Sequence, residues 1–204
     1  MDLLSSNDRF PLETPGIKLM DTTERHEWNG PAGEKIIYRR LCLEDYGVEN
    51  MSVLDGIVEW KGFKLDGEDV PFKRDLAEGL PYRIQARVRG GIRAADIDGG
   101  ERESSVLYYR VPVISVIDRL RQRSTVRGKL NHMRYMSEMV RWALVDWDKV
   151  TTSIDNSADF NPGNVGKLPL EAVDLLWEKL LWWIEGEEER EERELKNSAP
   201  TSGD

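Results

Sequence analysis

The chain has 204 residues, of which 39% are hydrophobic and 33% are charged, so it fits one or two domains with a thin core and much solvated helix. Its formal net charge of -9 argues against a protein that binds nucleic-acid phosphates, because such proteins need a basic surface. The single cysteine, Cys42, excludes an internal disulfide framework and is typical of a reducing compartment. No apolar run approaches the roughly 18 residues that span a bilayer, and the N-terminus lacks a signal-peptide pattern. We therefore expect a soluble, intracellular protein.

The N-terminal region divides into an arm and a hairpin. Residues 1–16 have no hydrophobic period and contain two prolines, which predicts an extended arm. Residues 17–20 and 25–28 are typical of short strands, turn-forming residues fill 29–33, and β-branched and aromatic residues make 35–41 a strand. The pattern predicts a small β-hairpin around residues 23–41.

An internal repeat organises the rest of the chain. Ile57–Trp60 and Leu144–Trp147 share an apolar pair followed by an acid and a tryptophan. In each copy a phenylalanine follows, and a Leu-Pro pair comes eight residues after it. The matching residues are Phe72 with Phe160, and Leu80–Pro81 with Leu168–Pro169. A repeat of this kind predicts one supersecondary unit per copy, each burying its apolar face against the other.

Both copies have hydrophobic spacings that favour helices before and after the loop. In the first copy, Met51–Trp60 is predicted to be a helix, a short helical piece spans Lys73–Glu78, and a second helix runs from Pro81 to about Arg89, where Gly90–Gly91 gives a stop signal. Residues 92–97 and 105–111 then predict a second hairpin. Matched spacings predict that the two copies superpose, with Trp60 on Trp147 and Phe72 on Phe160.

The second copy is predicted to be longer. Pro112 begins a helix to about Arg123, and a helix from Thr125 to Trp147 carries one apolar stripe at spacings of three and four. The basic residues between Arg119 and Arg134 then form its solvated face. Asn161–Pro162 reads as an N-cap with proline at the first helical position, opening a short piece to Lys167. The last helix runs from Pro169 to Ile184.

The last helix supplies the only candidate binding residues. Leu175, Trp182 and Trp183 fall off its main apolar stripe. Such a helix either packs on both lobes or presents a patch to a partner, and the sequence leaves both alternatives open. Beyond it, residues 191–204 are charged and then small and polar, which predicts a disordered tail.

The sequence offers no positive case for an enzyme. His26 and His132 have no metal-ligand spacing to a second candidate, and motifs for phosphate, dinucleotide or zinc binding are missing. Asp96–Glu101 resembles a calcium loop only faintly and is more typical of a turn. We expect no catalytic residue, no cofactor and no metal.

These patterns predict an α+β, predominantly helical fold. It has two similar lobes, each a small β-hairpin followed by helices. The expected boundaries are an arm at 1–16, a first repeat lobe at 17–91, a second repeat lobe at 92–190 and the tail at 191–204.

The repeat residues resemble the pattern of small tail assembly chaperones of tailed bacteriophages. The resemblance is carried by Trp60, Asp66–Gly67, Val70–Phe72 and Leu80–Pro81, and in the second copy by Trp147–Asp148, Asp155, Phe160, Pro162, Asn164 and Leu168–Pro169. It covers about half of the chain and brings no catalytic residue with it. Such proteins bind the tape measure protein or tail tube subunits in the host cytoplasm. The resemblance implies these partners, with possible self-association and with neither nucleic acid nor membrane as a target.

Two other functions stay open. One is a structural virion subunit of the tail or head-tail connector, which would lock onto its neighbours with the arm and the tail. The other is a regulator or inhibitor directed at the host.

Overall fold

A computed structural model describes residues 8–47, 52–65, 67–93, 103–154 and 156–186. The strands are β1 (Phe10–Thr14), β2 (His26–Asn29), β3 (Lys35–Tyr38), β4 (Ile57–Lys61), β5 (Lys64–Leu65), β6 (Glu68–Asp69), β7 (Ser105–Tyr109), β8 (Thr125–Val126), β9 (Lys129–Leu130) and β10 (Leu144–Asp148). The helices are α1 (Tyr82–Arg93), α2 (Ile114–Arg123), α3 (His132–Ala143), α4 (Pro162–Val165) and α5 (Leu170–Ile184). Short 3-10 turns span Asp45–Gly47, Val53–Gly56 and Arg74–Gly79. The predicted tail at 191–204, the turn at 96–101 and the first seven residues of the arm lie outside the described residues.

The fold is mixed rather than predominantly helical, so the predicted fold class is wrong. The described residues are 40% helical and 25% strand, and they form four small sheets. The main error concerns the two stretches that end in the repeated tryptophans. Both were predicted as helices through Trp60 and Trp147, but their last residues form strands β4 and β10.

A β-bulge in each strand explains the error. β4 pairs antiparallel with β3, and the register shifts so that Tyr38 faces Ile57 while Ile37 faces Glu59. β10 pairs with β7 and has the same shift, with Leu144 opposite Tyr109 and Asp146 opposite Tyr108. The extra residue places buried side chains three apart instead of two. A spacing of three imitates a helix, although β-branched residues in the run favour the strand.

The two main sheets each have three strands, in the orders β2-β3-β4 and β1-β7-β10. The predicted first hairpin is confirmed, because β2 pairs with β3 in antiparallel register. The prediction of a hairpin in each lobe is wrong for the second sheet, whose outer strand β1 comes from the N-terminal arm. Residues 92 and 93 end α1, and 94–97 lie outside the described residues. Below, the first lobe comprises β2–β6 and α1, and the second lobe comprises β1, β7–β10 and α2–α5.

The repeated tryptophans occupy the same local structure in both lobes. The Trp60 indole N–H donates to the Val70 carbonyl at 2.8 Å, and the Trp147 indole N–H donates to the Ala158 carbonyl at 2.7 Å. Each ring also meets its phenylalanine edge to face, with centroids 5.1 Å apart for both Trp60–Phe72 and Trp147–Phe160. Both indoles are 6% exposed. The repeat therefore preserves a buried aromatic pair together with the partner of its polar atom.

The chain after the phenylalanine also follows one plan. A short helical turn is followed by a buried leucine, Leu80 or Leu168, and by the proline that precedes a helix. The predicted last helix is confirmed as α5, and Asn161 caps α4 by accepting from the Asn164 N–H at 2.9 Å. The predicted stop at Gly90–Gly91 is wrong, since α1 continues to Arg93. A Cβ at Gly91 would collide with the Tyr38 hydroxyl, so this glycine serves close packing.

The lobes differ in the connection that runs from the central strand of each sheet to its bulged strand. In the first lobe the described part of the connection from β3 to β4 contains two 3-10 turns, whereas α2, the β8–β9 hairpin and α3 connect β7 to β10. The predicted helix from Thr125 to Trp147 is therefore wrong. Arg127 and Gly128 both have positive φ and form the hairpin turn, which ends the helical path.

One hydrophobic core joins the two lobes. Residues 41–43 run between them: the Leu41 N–H donates to the Ile92 carbonyl at 3.1 Å, and the Leu43 N–H donates to the Leu168 carbonyl at 3.0 Å. All four side chains are buried. α5 therefore packs as a core helix along much of its length, and its surface is limited to one edge and its C-terminal end.

Candidate protein-binding surface

Trp183 braces the C-terminal end of α5 against the second sheet. Its indole N–H donates to the Tyr109 hydroxyl at 3.4 Å, and its ring lies 5.5 Å from that of Phe10. Phe10 and Tyr109 are opposite each other on β1 and β7. Trp183 is thus half-buried in contacts within the chain.

Trp182 lies beside it and is directed outward. Its side chain is 44% exposed, and it meets Trp183 edge to face with ring centroids 4.7 Å apart. Because Trp183 is held by the sheet, Trp182 is presented in a fixed orientation. A large, half-exposed and preorganised indole is a common anchor in protein interfaces.

Leu175 is distant from this pair along α5. It is 38% exposed and lines a small apolar cavity of about 40 Å³ between the helix and the arm. The other lining residues are Thr14, Pro15, Gly16, Ile17, Pro169, Glu171 and Ala172. Leu175 and Trp182 are two turns apart on α5, so they mark the two ends of its exposed edge.

The first lobe has an apolar groove that the sequence did not point to. Its volume is about 650 Å³, and it lies between the β5–β6 hairpin and the start of α1. Trp60, Phe63 and Val70 contribute to one wall and Leu80 and Ile84 to the other. The large apolar residues Leu65 and Leu76 at its rim are exposed by 69% and 41%. The signal that could have found it is the pair of large apolar residues Phe63 and Leu65, where the second copy has Val150 and Thr152.

A smaller cavity of about 250 Å³ is lined by two ion pairs. Arg39 holds Asp45 with two hydrogen bonds of 3.0 and 2.6 Å, and Arg74 holds Asp55. Burial opposes the ionisation of Asp45, but the hydrogen bonds that it accepts from Arg39 and from the Cys42 N–H lower its pKa. Each carboxylate is neutralised by its own arginine, so we interpret both ion pairs as contacts that stabilise the fold.

Cys42, His26 and His132 have different surroundings in the fold. Burial, and then the charge of Asp45, raises the pKa of the Cys42 thiol to about 11, which suppresses the nucleophilic thiolate. His26 lies against the Tyr38 ring, and His132 is the exposed first residue of α3. Within the described ranges no group of three His, Cys, Asp or Glu residues could hold a metal ion.

Comparison with known proteins gives no relative: no family model, curated protein or solved structure matches the chain. Across the part of the chain that the structure describes, no helix has the length and apolar character needed to cross a membrane. The case for function therefore depends on the surfaces described above.

Proposed function

We propose that the protein is a tail assembly chaperone-like protein of a tailed bacteriophage. It would bind tail components, such as the tape measure protein or tube subunits, during morphogenesis in the host cytoplasm. The observation that carries the proposal is the exposed Trp182 indole, held in place by Trp183 at the end of α5. An assembly chaperone needs a surface of this kind because it covers apolar surface that its partner later buries in the tail.

The motif behind the family resemblance supports the proposal indirectly. Its tryptophan and leucine are buried in both lobes, and its phenylalanine packs edge to face on the tryptophan in each. They are scaffold residues, which is how the resemblance treats them.

The alternative is a structural subunit of the virion that uses its N-terminal arm to lock onto neighbours. Phe10–Thr14 is instead paired with β7 of the same chain. Because this part of the arm is already hydrogen-bonded to β7 of its own chain, it is poorly suited to hold a neighbour, so we favour the chaperone.

The test is co-purification of the tagged protein with the tail proteins encoded beside it. Trp182→Ser should reduce partner capture by about tenfold, as expected for loss of an interface anchor worth roughly 1.4 kcal/mol or more. Ile114→Ser is the matched control, because Ile114 is 77% exposed at the start of α2 and distant in sequence from α5. Trp183 should be left in place, since its loss would also open the contact with Phe10 and Tyr109.

Unchanged capture by the folded Trp182→Ser protein would overturn the proposed surface. Mass spectrometry of purified particles separates the two functions: a chaperone is absent, whereas a virion subunit is present in fixed copy number. The oligomeric size of the free protein, measured alongside, shows whether Trp182 mediates self-association instead.

A further inference from the structure

The second lobe contains a groove that the chain itself fills. Residues 17–20 run parallel to Thr151, which donates its N–H to the Ile17 carbonyl at 3.0 Å and accepts from the Leu19 N–H at 2.8 Å. The Met20 N–H continues the ladder by donating to the Lys167 carbonyl at 2.9 Å. The side chains of Ile17 and Leu19 are buried. This segment is held in an extended, strand-like manner by a parallel β-bridge, with Ile17 and Leu19 as alternating apolar anchors.

The first lobe has main-chain positions equivalent to those that hold residues 17–20 in the second lobe. The Val70 N–H donates to the Phe63 carbonyl at 2.8 Å, just as the Ala158 N–H donates to the Val150 carbonyl at 2.9 Å. Counting onward from these bonds, Lys64 corresponds to Thr151. Counting from Leu80 and Leu168, Gly79 corresponds to Lys167.

Lys64 also presents its main chain outward. It pairs with Asp69 one residue beyond the hydrogen-bonded Phe63–Val70 pair. In an antiparallel ladder that position has its N–H and carbonyl directed away from the partner strand. Lys64 is therefore oriented as Thr151 is, toward the 650 Å³ groove that both Lys64 and Gly79 line.

The walls of this groove are more apolar than those of the filled one. Leu76 stands where the second lobe has Asn164, and Ile84 stands where it has Ala172. Glu34 replaces Ser105, whose hydroxyl oxygen accepts from the Ile17 N–H at 2.8 Å. The Glu34 carboxylate already accepts the Ala32 N–H at 3.0 Å through Oε2, and its charge and Oε1 favour a basic side chain or a further main-chain N–H.

We propose that the first-lobe groove binds an extended segment of a partner protein. The segment would lie parallel to Lys64, place large apolar side chains at alternate positions in the groove, and carry a basic residue or free N–H groups near Glu34. The proposal rests on the internal repeat and does not depend on a phage origin. Residues 187–204 of this chain are poorly suited as occupant, because they are mostly acidic or small and polar and lack alternating large apolar residues. Residues 17–20 of a second copy would first have to leave their own buried groove.

The test uses a capped synthetic peptide with the sequence of Pro15–Thr22, titrated into the full ¹⁵N-labelled chain. The proposal predicts amide shifts at Lys64, Gly79 and Ile84 and at the Trp60 indole N–H. A peptide with serine in place of Ile17 and Leu19 should produce no shifts at the same concentration.

Two protein variants with equal starting exposure provide the control. Leu76 and Val58 are both 41% exposed, but only Leu76 lines the groove. Leu76→Asp should weaken peptide binding by about tenfold, because the carboxylate would have to be desolvated against an apolar segment. Val58→Asp should leave the affinity unchanged.

Three results would overturn the proposal. One is the absence of shifts at millimolar peptide, and another is shifts confined to the second lobe, which would mean exchange with the resident segment. The third is a dimer of the free protein that Leu76→Asp dissolves, since the occupant would then be a second copy. Trp182→Ser should not alter peptide binding, so this result is independent of the proposed chaperone surface.

Discussion

The two lobes share a scaffold and differ in what covers it. Each has a bulged strand ending in a buried tryptophan, a phenylalanine packed edge to face, and a Leu-Pro pair that leads into a helix. In the second lobe, Ile17 and Leu19 cover the groove beside that scaffold, whereas in the first lobe Leu65 and Leu76 are exposed beside it. A repeated unit can therefore keep its core while one copy has a covered groove beside it and the other an open one.

A second difference concerns the arginine after the central strand. The Arg39 N–H donates to the Gly56 carbonyl and the Arg110 N–H to the Ala143 carbonyl, at 2.8 and 2.9 Å. Their side chains differ: Arg39 pairs with Asp45, while Arg110 lies 4.0 Å above the Trp142 ring. The backbone position is preserved, but one lobe fixes the guanidinium with charge and the other with an aromatic face.

The largest expected effect tests whether the scaffolds are equivalent. Trp60→Ala and Trp147→Ala should each reduce the free energy of unfolding by about 3–5 kcal/mol, the usual cost of removing a buried aromatic side chain. Arg121→Ala, on the exposed face of α2, should change it by about 0.5 kcal/mol or less. Denaturant melts provide the measurement. A small loss for one tryptophan and a large loss for the other would mean that the two scaffolds are not equivalent.

The contacts of Arg39 and Arg110 should contribute to stability with a different dependence on pH in the two lobes. Asp45→Asn should cost about 2–3 kcal/mol at pH 7, because it removes charged hydrogen bonds from a largely buried group. The pKa of Asp45 is lowered in the folded state, so this stabilisation is present above the ordinary aspartate pKa and is lost as the pH falls through the lower folded value. Urea melts should therefore show a smaller difference between wild type and variant near pH 3 than at pH 7.

Arg110→Met is the corresponding change in the second lobe. It should cost about 1–2 kcal/mol, because it removes the cation–π contact and the hydrogen bond that the Arg110 Nε–H donates to the Trp142 carbonyl. The cost should be the same at both pH values, because no carboxylate among the described residues pairs with Arg110. A pH-dependent loss at Arg110, or a constant one at Asp45, would contradict the assigned contacts.

The arm contact gives a smaller, lobe-specific effect. Ser105 is fully buried, accepts from the Ile17 N–H and donates to the Lys149 carbonyl, both at 2.8 Å. Ser105→Ala should cost about 1–2 kcal/mol, since two buried polar groups lose their partner. Glu34→Ala at the equivalent position of the open groove should change the free energy of unfolding by about 0.5 kcal/mol or less. Equal losses in thermal melts would mean that Ser105 does not hold the arm.

The smallest expected effect is at the proposed partner surface. Trp182→Ser should reduce the free energy of unfolding by about 1 kcal/mol or less, because the side chain is already 44% exposed in the folded chain. Chemical melts at pH 7 measure this change, with Ile114→Ser as reference. A loss as large as that of Trp147→Ala would identify Trp182 as a core residue.

The sequence predicted the parts of the fold that depend on local signals. The repeat, the hairpin around residues 23–41, the Asn161 cap and the last helix follow from turn chemistry, capping and a long apolar stripe. The strands that contain Trp60 and Trp147 were not predicted, because a bulge changes the spacing of their buried side chains from two residues to three. A bulge is defined by its partner strand, which local patterns do not contain.

The assignment of β1 and the groove could not follow from local patterns either. Phe10–Thr14 contains a proline and has no period of its own, and it becomes a strand only through pairing with Ser105–Tyr109. The difference between the filled and the open groove depends on residues 17–20, which cover only the second-lobe groove through a contact between positions more than 130 apart in sequence. Of the candidate site residues, the exposed Trp182 and Leu175 were identifiable from helix periodicity, whereas the contacts of Trp183 with Phe10 and Tyr109 depend on tertiary packing.

Amide hydrogen exchange at Lys64 and Thr151 tests the central comparison most directly. The Thr151 N–H is bonded to the Ile17 carbonyl, while the equivalent N–H of Lys64 is directed into an open groove. We expect Thr151 to exchange at least about a hundredfold more slowly than Lys64, after correction for intrinsic rates, because its opening requires release of the buried arm segment. Equal protection of the two amides in the free chain would contradict the account of one filled and one open groove.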